Sequence, residues 1–180
     1  MQPNASDSST DPIAFIGGGN MASAIIGGLI KRGLPARQIH VVEPFAEQRA
    51  KLAQQFQMEV SESPGASLNR ATLVVWAVKP QTFREAAEQS RAHTQNALHL
   101  SVAAGIRSGS IANWLGTERV VRAMPNTPAL IGQGMTALFA RPAASAGDRL
   151  AVERVVQTTG AYLWLDQEAQ LDAVTALSGS

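Results

Sequence analysis

From Pro12 onward, short β-branched apolar runs alternate with amphipathic stretches, and a turn or cap signal marks each change of period. Ile13 to Ile16 is an apolar run that stops at three glycines. Beyond Asn20, the residues Met21, Ile25, Ile26, Leu29 and Ile30 recur at helical spacing and Gly33 offers a stop, so the pattern predicts a helix over 21–32. A second strand is expected at Ile39 to Val42, then a helix opened by Pro44 that carries Phe45, Arg49 and the segment from Lys51 to Phe56. Thr72 to Val78 is a β-branched run of the kind buried on both faces of a sheet, and Lys79-Pro80 ends it. The next helix falls over 82–93. Three more strands are expected at Ala97–Val102, Arg119–Ala123 and Met135–Ala140, with a short helix after Ser108 or Ser110 between the first two. Asp148 to Thr159 reads as an amphipathic helix with Leu150, Val152, Val155 and Val156, and Tyr162 to Leu165 as an edge strand. Strands alternating with three-turn helices imply crossovers between parallel neighbours, so the expected fold is α/β: a doubly wound, mostly parallel sheet with helices on both faces.

Composition narrows the function. Of 180 residues, 45% are hydrophobic and 16% charged, which excludes intrinsic disorder. Fifteen Lys and Arg against 14 Asp and Glu leave a net charge of +1, and no basic stripe interleaved with aromatics argues for nucleic acid. The longest run of large apolar residues, Leu73 to Val78, is far short of the ~20 that cross a bilayer. There is no cysteine, and the three histidines are scattered at 40, 93 and 99, so no metal site and no thiol nucleophile are expected. Residues 1–11, MQPNASDSSTD, are polar and Ser-rich with the marks of neither a signal nor a transit peptide. They read as a tail on a cytoplasmic protein. The main domain is expected over 12–166.

The candidate chemistry lies just after the strands, where doubly wound sheets bind ligands. Gly17, Gly18, Gly19, Asn20, Met21 and Ala22 fit G-x-G-x-x-G/A between a strand and a helix. In a Rossmann-type sheet, Gly17 permits the tight turn, Gly19 lets backbone approach a pyrophosphate, and Ala22 lets helix and strand pack closely. The helix amino terminus then offers unpaired N–H groups to phosphate. Glu43 follows the second strand, where an acid can accept hydrogen bonds from a ribose and favours NAD. Arg37 and Arg49 lie near enough in sequence to keep a 2′-phosphate, and NADP, open. Ala77, Val78, Lys79 and Pro80 leave the buried strand with a cation and a rigid turn. Ser101-Val102-Ala103-Ala104-Gly105 is small enough for something flat to lie against its backbone, and Met124-Pro-Asn126-Thr-Pro128 holds an Asn-Thr pair between two prolines. An ordinary turn, a solvated strand-end charge or tight packing would each explain one of these segments taken alone.

Taken together, Gly17–Ala22, Ala77–Pro80, Ser101–Gly105, Arg122–Pro128, Gly132–Thr136 and Val174–Ser180 resemble the pyrroline-5-carboxylate reductases, in order from Ile13 to Ser180. The resemblance implies reduction of a small-molecule imine, 1-pyrroline-5-carboxylate, to L-proline with NADPH or NADH. It implies that Gly17 to Ala22 hold the pyrophosphate, that Ala77 to Pro80 and Val102 to Ala104 line the ribose and nicotinamide, and that Asn126 lies near the hydride-donating ring. Ser178 and Ser180 are the only substrate-side positions it carries over. The family often has small hydroxyl residues where this chain has Val42-Glu43, and an asparagine near the place of Pro64, which leaves the choice of dinucleotide open. It also implies a helical domain that forms homodimers or larger oligomers, of which 167–180 would be the truncated beginning, so that this chain would supply the cofactor-binding half. A β-hydroxyacid-dehydrogenase-like reductase, a non-catalytic NAD(P)-binding module and a methyltransferase are the competing readings.

Overall fold

The computed structural model describes residues 11–178, and side chains as far as Val174. The strands, in chain order, are β1 (Ile13–Ile16), β2 (Ile39–Val42), β3 (Val60–Ser61), β4 (Leu73–Trp76), β5 (Leu98–Ser101), β6 (Val120–Met124), β7 (Gly134–Ala140) and β8 (Gly160–Trp164). They form one sheet in the order β3-β2-β1-β4-β5-β6-β7-β8. Every pairing from β3 to β6 is parallel; β7 runs antiparallel to β6, and β8 runs parallel to β7. The expected doubly wound α/β sheet is therefore present, with two reversed strands at one end.

Alternation of side chains across each strand divides the core in two. Phe15, Val41, Val75, Leu100 and Val121 point to one face, where Ile25, Ile26 and Leu29 of α1 (Asn20–Lys31), Leu52 of α2 (Ala46–Phe56) and Val152 and Val155 of the later helix over 146–156 cover them. Ala14, Ile16, Val42, Val74 and Trp76 point the other way, against Phe83 and Ala87 of α3 (Pro80–Ser90) and Ile111, Ala112 and Leu115 of α4 (Ser108–Leu115). With the 146–156 helix as α5, α6 (Ala169–Ser178) completes the set, and its Leu171 is fully buried with Met124 and Ala137. Burying a Val, Leu, Ile, Phe or Met side chain contributes roughly 1.5–3 kcal/mol, and such residues, with small alanines between them, make up most of these two layers.

Four details differ from the sequence pattern. Strand β3 has two residues and a single neighbour, too short to leave a periodic signal. Helix α2 starts at Ala46 rather than Pro44, because the Phe45 N–H is taken by the Glu43 carboxylate and Pro44 lies in the turn between them. The expected helices over 82–93 and 148–159 each end in a 3-10 turn, at Arg91–His93 and Gln157–Thr159. The buried β-branched strand is shorter than its apolar run, since Val78 and Lys79 already belong to the turn into α3.

Candidate functional site

Because β2, β1, β4, β5 and β6 are parallel and in register, their carboxyl ends fall along one edge: Val42 beside Ile16, Ile16 beside Trp76, Trp76 beside Ser101 and Ser101 beside Arg122. The segments singled out in the sequence, Gly17–Ala22, Glu43, Ala77–Pro80, Val102–Ala104 and Asn126, all leave the sheet at that edge.

At the glycine loop the three glycines have different reasons. Gly17 has φ +96°, and a Cβ there would stand 2.4 Å from the Ala77 carbonyl oxygen. Its N–H donates to the Val42 carbonyl at 2.8 Å, while Ala77 N–H donates to Ile16, so the turn is stitched to both neighbouring strand ends. A Cβ on Gly18 would meet Leu52 Cδ1 at 2.4 Å. Gly19 is different: it has ordinary φ −77°, and a Cβ would meet nothing within 4 Å. The fold does not require glycine at 19. Close approach by a ligand would, and a loop left open in this way fits a dinucleotide pyrophosphate.

The helix behind the loop supports the same fit. No side chain caps α1, its first turn carries no acid, and the N–H groups of Gly19 to Ala22 have no acceptor among the described residues. Four donors therefore remain at the positive end of a twelve-residue helix. Ala22 is fully buried, as close helix–strand packing demands.

Glu43 was expected to be a strand-end acid turned toward a ribose. In the structure it is 6% exposed, with Oε1 accepting the Gly18 N–H at 3.2 Å and Oε2 accepting the Phe45 N–H at 3.0 Å. One oxygen thus already serves the glycine loop and the other the turn into α2. Arg49 donates to the carbonyls of Glu43 and Pro44, at 3.0 and 2.7 Å, and Arg37 lies exposed in a 3-10 turn. Gln48, which nothing in the sequence pattern distinguished from a solvated helix face, donates to the Gly18 carbonyl at 2.5 Å.

Farther along the edge, Lys79 is exposed at the N-cap of α3 and its ammonium makes no bond among the described residues. Val102 is half-buried, Ala103 buried and Ala104 exposed, and Gly105 has φ +77°. Asn126 does not offer its whole amide: Oδ1 accepts the Met135 N–H at 2.9 Å, pinning the 3-10 turn of 127–131 to β7, and only its NH2 is left toward a ligand. Ser178 is the last residue of α6, and its side chain is not described; Ser180 lies outside the described residues, as do 1–10 of the expected tail.

The sequence pattern missed a charged cluster beside β6. Glu168, just before α6, accepts from the Ser108 N–H at 2.5 Å, the Ser108 hydroxyl at 2.7 Å and Arg122 Nη1 at 2.8 Å, and Arg141 donates to that hydroxyl at 3.1 Å. Burial alone would push the Glu168 carboxyl up; the two Ser108 donors and the Arg122 guanidinium outweigh it and hold the carboxyl below its usual range. Arg122 is 3% exposed and ends within the strand whose continuation carries Asn126. Only its place two residues before Met-Pro-Asn-Thr-Pro could have hinted at it. Among the described residues, no group of three or more His, Cys, Asp or Glu could hold a metal, and no helix is long and apolar enough to cross a membrane.

A parallel sheet with a bare, glycine-lined helix terminus at its first crossover defines a dinucleotide-binding α/β domain of the oxidoreductase type. The chain belongs to the family described as NADP oxidoreductase, coenzyme F420-dependent, whose model matches residues 12–105. It is 48% identical over 174 residues to the pyrroline-5-carboxylate reductase of Pseudomonas aeruginosa, covering 96% of this chain and 64% of that protein. Among solved structures, a pyrroline-5-carboxylate reductase from Coxiella burnetii superposes with a TM-score of 0.87 at 32% identity, over 94% of this chain and 64% of the other. The Plasmodium falciparum pyrroline carboxylate reductase with NADP bound shares the fold, with a TM-score of 0.81 at 22% identity over 95% of this chain and 63% of that one. The chain thus spans less than two thirds of the relatives it matches.

Proposed function

We propose that this chain supplies the dinucleotide-binding part of an NAD(P)H-dependent reductase that converts 1-pyrroline-5-carboxylate to L-proline, and that residues 12–166 form its cofactor domain, with α6 beginning a further helical region. The observation that carries the dinucleotide reading is Gly19, a glycine the fold itself does not need, beside unpaired N–H groups at the end of β1. The 48% identity to a named pyrroline-5-carboxylate reductase supports the substrate.

When bound, the reduced nicotinamide supplies a hydride for the imine carbon. The chain's part is to bind and orient. The N–H groups of Gly19 to Ala22 take the pyrophosphate oxygens, aided by the α1 dipole. Lys79, without a partner among the described residues at the same edge, attracts phosphate or holds a ribose hydroxyl. The small surface of Val102 to Ala104 and the Asn126 NH2 receive the ring and its amide. Substrate-side groups, with Ser178 and Ser180 as the candidates here, would hold the imine against that ring, and assembly into homo-oligomers through a helical region follows the resemblance.

The test is a titration of the purified chain with NADH and NADPH, followed by an assay with pyrroline-5-carboxylate, alone and joined to the remaining part of the Pseudomonas relative. Saturable dinucleotide binding with turnover restored by the added part is expected. Turnover of a β-hydroxyacid with the oxidised dinucleotide instead, or binding without turnover in the joined protein, would replace this reading by the related dehydrogenase or by a non-catalytic NAD(P)-binding module; competition by S-adenosylmethionine would mark a methyltransferase.

A further inference from the structure

The Gly18 residue is held from both sides by side chains outside the glycine motif. Its N–H is fixed by the buried Glu43 carboxylate at 3.2 Å and its carbonyl by Gln48 Nε2 at 2.5 Å. Glu43 is itself fixed, by the Phe45 N–H on its other oxygen, and the turn that carries it is held by Arg49 on the carbonyls of Glu43 and Pro44. Gln48 stands on the first turn of α2, so the loop is tied to the start of that helix as well as to the end of β2.

A trans peptide unit carries its C=O and N–H in opposite directions, and the chain has no cis peptide among its described residues. The carbonyl that Gln48 holds belongs to the same unit as the Gly19 N–H. Drawing that carbonyl toward α2 therefore points the Gly19 N–H away from α2, where it meets no acceptor among the described residues. A glycine pair without such ties is free to rotate this unit, because neither residue has a Cβ to restrict it. Packing does part of the work at Gly18, where Leu52 and Val41 close the space, but nothing closes it at Gly19.

We propose that Gln48, backed by Glu43, is a positioning residue for the dinucleotide: it fixes the orientation of the Gly18–Gly19 peptide unit so that the Gly19 N–H is already aimed at the pyrophosphate before binding. The proposal rests on the dinucleotide reading given above. It assigns Glu43 to bracing the loop, and it predicts that the contribution of Gln48 falls on the phosphate groups of the ligand rather than on its adenosine. Preorganisation of this kind lowers the ordering cost of binding without a direct contact between Gln48 and the ligand.

The experiment compares the parent with Gln48→Met, which keeps the length of the side chain and loses its donor, by calorimetric titration with NADH, ADP-ribose and adenosine and by thermal unfolding. NADH and ADP-ribose should bind roughly tenfold more weakly to the variant, consistent with loss of one oriented hydrogen bond, while adenosine affinity stays the same. Because Gln48 is half-exposed, the unfolding midpoint should move by no more than about 2 °C. Unchanged affinity for NADH and ADP-ribose overturns the proposal, and so does an equal loss for all three ligands, which would place Gln48 in an adenosine contact. A parent that binds adenosine but gains nothing from the pyrophosphate of ADP-ribose or NADH overturns the dinucleotide reading itself and the proposal with it. Should Gln48→Met unfold, Gln48→Lys, which restores a donor of similar reach, is expected to fold and to bind ADP-ribose at least as well as the parent; a tenfold loss there also overturns it.

Discussion

The two ends of the ligand edge are built on opposite plans. At β1 and β2, backbone bonds from Gly17 to Val42 and from Ala77 to Ile16 join strand ends and loop, the Glu43 and Gln48 side chains brace Gly18, and the N–H groups from Gly19 to Ala22 are left without an acceptor among the described residues. At β6 and α6, side chains make the joints, and the donors are answered: Ser108 gives both N–H and O–H to Glu168, Arg122 joins them, and Arg141 closes the cluster. Polar groups left unpaired beside a rigid scaffold are groups held ready for a ligand, whereas a satisfied buried network holds a structure together. On this contrast the glycine loop should govern affinity and the Glu168 cluster should govern stability.

The most damaging way to break the contrast is at its structural end. Glu168→Ala strands the buried Arg122 guanidinium, and the expected cost is about 3 kcal/mol, read as a lower denaturant midpoint with unchanged slope. The folded fraction of that variant should still bind NADH within a factor of about two, since no group of the loop is touched. A stable Glu168→Ala with weakened binding would reverse the assignment.

At the other end, Gly19→Asp places a carboxylate in space that the protein leaves empty. Dinucleotide affinity should drop by roughly 100-fold from charge repulsion at the pyrophosphate, and the melting curve should be superimposable on that of the parent. A folded Gly19→Asp that binds normally removes the loop from the site.

The smallest expected effect sharpens the comparison by supplying a third region that belongs to neither end. His99, wholly buried in β5, accepts the Trp76 indole N–H on Nδ1 at 3.0 Å, so its ring proton sits on Nε2, facing the Thr94 carbonyl at 3.3 Å. Burial is the main reason its pKa is lowered from 6.5 to about 4, with Thr94 working against it and Arg119 adding to it. The unfolded chain takes up this proton as pH falls below 6.5 and the folded chain does not until about 4. Stability from His99 is therefore complete above 6.5 and declines as pH falls toward 4, by on the order of 2 kcal/mol between pH 7 and 5. Chemical denaturation across that range should show the decline, and His99→Gln, which keeps an acceptor for the indole, should flatten it. An equal decline in His99→Gln would locate the titrating group elsewhere.

What could be read from the sequence was whatever is written in neighbouring residues. The alternation of Ala14, Phe15 and Ile16 and the helical spacing of Ile25, Ile26 and Leu29 are local, and so is the order of glycines after β1, so the fold class and the place of the loop were legible. Glu43 was legible as a residue of interest but not in its orientation, which depends on Gly18 and Phe45 meeting it in space. Arg122 and Glu168 lie 46 positions apart and each looks like an ordinary charge alone; no period links them. Asn126 was read as an open amide because its partner, the Met135 N–H, comes from a strand whose direction the sequence did not reveal.

That reversal of β7 also sets a length. The carboxyl ends of β2, β1, β4, β5 and β6 all arrive at one edge, and the next strand turns its amino end there instead. From β2 to β6 that edge spans strand spacings of about 4.8 Å each, roughly 19 Å in all, with the two-residue β3 lying one spacing beyond β2. Such an edge works as a ruler: it is long enough for two nucleosides laid end to end across a pyrophosphate, and a mononucleotide on the glycine loop would leave the stretch toward β5 and β6 uncovered. An antiparallel strand placed one position earlier would shorten the ruler by a strand and leave the second base without a floor.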